Sequence, residues 1–184
     1  KSAMFKRFSY SDVSTQNQVK SSVQRKIRTD LLEQFPRLDP VIDDILPKKS
    51  PLVIAKCPNQ IQVVLVNSVP VCVQSRDGPW VPTLRLLHQH PSMMPKMQAD
   101  KGATKFIMGG ANVMCPGLTH PTGGRMEDVD RGAVVQILLE GREHACAVGI
   151  MTMSTAEIRK ENKGVCIEVV HVLNDGLWKT NHFG

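Results

Sequence analysis

Apolar residues recur at every fourth position at Val19, Val23, Ile27, Leu31 and Phe35, which predicts a helix over residues 19–35 with one apolar stripe. Pro36 ends it. Asp39-Pro40 then reads as an N-cap followed by proline at the first helical position of a second helix, with Val41, Ile42, Ile45 and Leu46 apolar and Pro47 as its stop. Past Pro51 the texture changes to β-branched runs at residues 52–56, 60–66 and 69–74, with Asn67-Ser68 as a tight turn. Three strands against two helices make a small α+β unit. Asp77-Gly78-Pro79 breaks the last run, and residues 83–89 read as a short helix carrying Leu84, Leu86 and Leu87. Ahead of all this, Phe5, Phe8 and Tyr10 alternate with Lys6 and Arg7 in a first strand or an extended arm.

Two prolines four residues apart, Pro91 and Pro95, disfavour both helix and ladder and mark a hinge. The expected division is residues 4–91 and residues 92–184. In the second unit, Asp100 caps a short helix over residues 101–108, Gly109-Gly110 ends it, and Ala111 to Cys115 reads as a strand punctuated by Pro116-Gly117. A helix ending on a glycine pair beside a strand edge leaves a groove with little side-chain bulk, where a ligand backbone can approach. Residues 120–131 read as a solvated loop with Gly123-Gly124 and the acids Glu127, Asp128 and Asp130, which lack the regular spacing of a calcium loop. Apolar runs at 134–140 and 144–151 flank Gly141-Arg142-Glu143 as a hairpin. Ser154 and Glu157 form a capping box for a helix that Gly164 stops, and residues 165–173 give a last strand before Asn174-Asp175-Gly176 turns away.

Composition changes the picture in two ways. With 41% hydrophobic and 22% charged residues and no apolar run near eighteen, the chain reads as soluble and without membrane partners. The charge is uneven: residues 4–91 hold 12 Lys and Arg against 7 Asp and Glu, while residues 92–184 hold 10 of each. Apart from the charge of Lys1, the net +6 is therefore a balance of +5 in residues 4–91, with Lys20, Arg25, Lys26 and Arg28 on the first helix and Lys48 and Lys49 beyond it. Lys1-Ser2-Ala3 before Met4 reads as a cloning remnant. The five cysteines are isolated and embedded in apolar runs, as expected of buried, reduced thiols in a cytoplasmic protein, and not of a disulfide framework or a metal site.

Motifs of catalysis are not found: no Gly-x-Ser-x-Gly elbow, no Gly-x-x-x-x-Gly-Lys loop, no His-Glu-x-x-His. His88 and His90 suit a helix end better than a metal. Cys115 suits packing better than attack, and the chain is expected to be no enzyme and to need no cofactor.

The run Lys-Gly-Ala, Phe-Ile, then Gly-Ala-Asn-Val-Met-Cys-Pro-Gly-Leu at residues 101–118 resembles the opening helix and second strand of a PUA domain, a small RNA-binding mixed β-barrel. With Pro82-Thr83-Leu84-Arg85-Leu86-Leu87-His88 and Leu173-Asn174-Asp175-Gly176-Leu177-Trp178 included, nearly the whole chain resembles the malignant T-cell amplified sequence family of translation re-initiation factors. The resemblance implies an α+β N-terminal unit followed by a PUA barrel. It also implies a monomer that pairs with the density-regulated protein on the small ribosomal subunit, contacts ribosomal RNA or tRNA, and serves re-initiation and recycling. Carried over position by position, the groove residues are Lys101, Gly102, Ala103, Lys105, Gly109, Gly110, Ala111, Met114, Pro116 and Gly117. Glycine N–H groups and the two lysines would take nucleic-acid backbone, and the basic first half would add salt-sensitive phosphate contacts. The alternative is a protein-interaction subunit whose groove holds no RNA, since two tryptophans and one tyrosine advertise little base stacking.

Overall fold

The computed structural model describes residues 3–184; Lys1 and Ser2 of the expected remnant lie outside the described residues. After a 3-10 turn at Tyr10–Asp12 come β1 (Thr15–Gln18), α1 (Ser21–Gln34), a 3-10 segment (Pro36–Val41) and the one-turn α2 (Ile42–Ile45). Then follow β2 (Leu52–Cys57), β3 (Ile61–Val66), β4 (Val69–Gln74), β5 (Val81–Pro82) and α3 (Leu84–Gln89). The five strands form one antiparallel sheet in chain order. Asn67 and Ser68 take positive φ of 51° and 66°, the tight turn that matches the twist of a two-residue hairpin.

Three local expectations shift. Ile27, Leu31 and Phe35 are buried, but Val23 is 41% exposed. A repeat of four overshoots the 3.6-residue turn by about 40° per step, so a strict fourfold row winds off the buried face. Val19 stays outside α1 because its N–H donates to Leu52 O, extending the sheet. Asp39 caps nothing, since Pro36 opens a 3-10 segment that already contains Asp39 and Pro40. β1 carries four exposed polar residues and owes its place to backbone pairing with β2.

The second half holds β6 (Lys96–Ala99), a 3-10 turn (Lys101–Ala103), α4 (Thr104–Met108), β7 (Val113–Met114), α5 (Cys115–Thr119) and β8 (Arg125–Met126). It continues with β9 (Val134–Leu139), β10 (Ala147–Met151), α6 (Thr155–Glu161), β11 (Val165–Val172) and α7 (Gly176–Lys179). Its sheet runs β7-β11-β10-β9-β6-β8, mixed because β6 lies parallel to β9. The barrel is a half-barrel: β7 and β8 are its edges, and α5 packs against both of them and β6. Pro116-Gly117, expected to stop a strand, instead lies in the first turn of α5, where a residue lacking N–H is tolerated. Ser154 and Glu157 form the capping box, and the Ser154 N–H and the Arg131 guanidinium hold the Glu157 carboxyl down at about 2. Asp175 caps α7 where only a turn was expected.

One apolar core runs through both halves. Leu84, Leu87, Met93 and Met94 cluster with Val134, Val148, Val170 and Leu177. The expected hinge is pinned: Gln136 Nε2 donates to the carbonyls of Pro91 at 2.7 Å and Met94 at 2.9 Å. Arg85 lies over the Trp178 ring at 3.9 Å and donates to Trp178 O, a second tie between the halves. The N-terminal segment is an arm and not a strand; Phe5 packs edge-on to His171, its carbonyl accepts the Gly176 N–H, and Phe8 stacks on Phe183. All five cysteines are buried, and burial pushes the Cys57 thiol up to about 11 and Cys146 to about 12.

Candidate nucleic-acid interface

Asp100 organises the predicted groove. Its N–H donates to Gly117 O at 3.0 Å, its Oδ2 accepts the Gly102 N–H at 3.0 Å, and its carbonyl accepts the Ala103 N–H. The entry to α4 is thereby tied to α5, with Gly117 against Ala103. Glu140 Oε1 accepts the Lys101 N–H at 3.1 Å, which anchors the same turn to the end of β9. Lys101 in the 3-10 turn and Lys105 in α4 are exposed, and neither has an ion-pair partner among the described residues.

The structure brings Lys101, Gly102, Ala103, Lys105 and Gly117 together and treats the rest of the expected set differently. Gly110 is buried at φ +91°, with Ala3 3.4 Å from where its Cβ would stand, so the arm covers the glycine end of α4. Lys6 Nζ donates to Gly109 O at 3.5 Å on that side. The Ala111 N–H donates to Phe106 O. Met114 and Pro116 are exposed at the β7–α5 junction. Three of the four glycine N–H groups expected to meet a ligand are already used: Gly102 by Asp100, Gly109 by Lys105 O and Gly110 by Ile107 O. Contact with an anion at either end of α4 therefore falls to the two ammonium groups.

Two glycines outside the expected set shape the groove. A Cβ on Gly123 would stand 2.1 Å from Glu140 Oε1 and 2.9 Å from Asp100 Cβ, so this loop lies directly against the Asp100 turn. A Cβ on Gly124 would meet Leu118 O at 2.3 Å and His120 N at 2.8 Å, both backbone. Gly124→Ala is accordingly expected to destabilise the fold by about 1–3 kcal/mol through overpacking, read as a lowered denaturation midpoint; an unchanged midpoint would show that the loop yields freely. The Gly-Gly pair was the signal for this wall. Sequence reasoning also passed over Phe106, which is 65% exposed on α4.

On the first half, Arg25, Arg28 and Lys48 line an open cleft of about 560 Å³ with Gln24, Thr29 and Leu46. Arg28 is partly committed, donating to Leu46 O at 3.2 Å and pairing with Asp43, whose carboxyl it holds below its ordinary value. Lys26 pairs with Asp30 along α1. Lys20 and Lys49 are exposed outside the cleft.

Comparison with known proteins agrees with this architecture. Residues 8–91 match a family model described as a Pre-PUA-like domain, and residues 93–176 one described as "elF2D, PUA domain". The malignant T-cell-amplified sequence 1 homolog of Drosophila melanogaster is 53% identical over 96% of this chain and 98% of its own length. The Danio rerio malignant T-cell-amplified sequence 1 is 47% identical over 95% and 97%. A hypothetical protein from Pyrococcus horikoshii shares the fold at a TM-score of 0.74 and 22% identity, covering 91% of this chain and 99% of its own. With both family models matched and near-full-length identity of this order, the chain belongs to the malignant T-cell-amplified sequence family, a Pre-PUA unit followed by a PUA domain.

Proposed function

We propose that this protein is a non-enzymatic RNA-binding translation factor that works on the small ribosomal subunit with the density-regulated protein, helping tRNA arrive or leave in re-initiation and recycling. The observation that carries the reading is the pair Lys101 and Lys105, exposed at the entry to and within α4, whose ammonium groups have no ion-pair partner among the described residues. Cations left unpaired beside an open backbone turn suit phosphate contact without base readout. The cleft of Arg25, Arg28 and Lys48 adds a second phosphate-contacting surface. Ribosomal RNA and tRNA are the ligands this reading assigns, and the cytoplasm its place of action.

A second reading has its own support. Phe106, Met114 and Val165 are exposed large apolar residues, and Met114 and Val165 face each other across the β7–β11 ladder. Adjacent exposed apolar side chains such as Met114 and Val165 form the kind of patch that a protein partner covers, so the same end of the domain suits a protein partner. Binding of the purified chain to small ribosomal subunits, with and without the density-regulated protein across a salt series, tests the proposal. Partner-enhanced, salt-sensitive binding is expected. With about six phosphate contacts the salt slope is roughly −4 to −5. No binding in either condition would overturn the ribosomal assignment.

A further inference from the structure

A second charged cleft, of about 490 Å³, lies where the two halves meet, lined by Arg37, Ser92, Lys96, Gln98, Arg125 and Glu127 among others. Its floor follows from strand alternation. In β6, Met97 and Ala99 are buried, which turns Lys96 and Gln98 outward, and Arg125 stands opposite Gln98 in the β6–β8 ladder. Its far wall is Arg37 from the Pro36–Val41 segment, which donates to Ser92 O at 3.5 Å.

The charge there is unbalanced. Glu127 is the one carboxylate of the lining, and both of its oxygens are engaged, one by Arg37 at 3.4 Å and the other by the Lys96 N–H. The ammonium of Lys96 and the guanidinium of Arg125 are exposed and have no ion-pair partner among the described residues. Three cations against one occupied carboxylate leave a net +2 facing solvent.

β6 links the cleft to the Asp100 turn. At one end of β6, Ala99 runs into the Asp100 turn and Lys101; at the other lies Lys96 beside Glu127 and Arg37. Gln98 Nε2 donates to Gly123 O at 2.9 Å, so the groove wall and the cleft floor share one strand pair. The four residues of β6 span about 13 Å.

We propose that this cleft binds the phosphate backbone of a single RNA strand that enters at Lys101 and Lys105, follows β6 and β8 across Arg125 and Lys96, and reaches Arg37 on the first half. The inference rests on the RNA-binding reading above and adds a path. It gives the pinned connector a role, because a rigid junction holds Arg37 and Arg125 on either side of one strand. Exposed cations at fixed separation on a β floor suit a polyanion better than a compact anion, which the three together would have to converge upon.

The test is K96A/R125A, measured against wild type for binding of a single-stranded RNA in a salt series, with K56A/R76A as a charge-matched control outside both sites. The wild type and the control should share one salt slope, and K96A/R125A should be shallower by about 1.4, from about 0.7 for each single-strand phosphate lost. All three should unfold at the same temperature, since the altered side chains are exposed. Wild-type binding with an unaltered slope in K96A/R125A overturns the cleft and leaves the RNA reading standing. An equal drop in the control shows a non-specific charge effect and also overturns it. Failure of the wild type to bind RNA overturns both.

Discussion

Asp175→Ala should lower the melting temperature by about 10–15 °C, the largest stability loss expected of any single substitution considered. The carboxylate is buried and every oxygen is used: Oδ2 accepts the Val172 N–H at 2.9 Å and bonds His171 Nδ1 at 2.7 Å, and Oδ1 accepts the Trp178 N–H at 2.8 Å. Both side chains are 1% exposed. Truncation leaves these partners buried without an acceptor, and each orphaned group costs about 1–3 kcal/mol. A total of about 4 kcal/mol corresponds to that shift for a chain of this size, at about 2–4 °C per kcal/mol. The damage spreads because α7 begins at Gly176, whose N–H donates to Phe5 O of the arm. A Cβ on Gly176 would stand 1.9 Å from Phe8 O, so arm and helix start are in backbone contact. Thermal unfolding of D175A checks the argument. A D175A midpoint within about 2 °C of wild type would mean that the carboxylate does not tie these elements together.

Lys101→Glu with Lys105→Glu should weaken RNA binding by about a hundredfold, from about a tenfold loss at each charge-assisted contact, and flatten the salt slope by about 1.4. Stability should hold, because neither side chain is buried or ion-paired among the described residues. The size of the effect follows from the backbone accounting at this turn. Lys101 N–H and Gly102 N–H are spent on Glu140 and Asp100, so no main-chain donor of these two residues remains to compensate for lost ammonium groups. Binding of the density-regulated protein, measured beside it, should not change. Intact RNA affinity in the double variant would transfer the groove to a protein partner, for which Phe106 and Met114 are the next substitutions to make. The three sites proposed for RNA contribute side by side: the groove pair and the junction cleft each supply about 1.4 of the salt slope, and Arg25, Arg28 and Lys48 add the remaining contacts.

Much of this molecule was legible in its sequence because local chemistry decided it. The turn at Asn67-Ser68, the caps at Asp100 and Ser154, and the β-branched runs of β2 to β4 follow from residue type and spacing alone. Lys101, Gly102, Ala103 and Gly117, which the structure gathers around Asp100, were named by the family resemblance and lie within eighteen positions of one another. What only the tertiary structure decided depends on partners distant in the chain. β1 has no apolar residue to announce it and exists because β2 offers an unpaired edge. Gly109 O is engaged because Lys6 of the arm reaches it, and Gly102 cannot offer its N–H because Asp100 folds back to take it. Arg37 and Arg125, 88 positions apart, line one cleft because a shared core locks the halves together. Periodicity reports which face of an element is dry. It carries no information on which dry faces meet, and the junction is made of that.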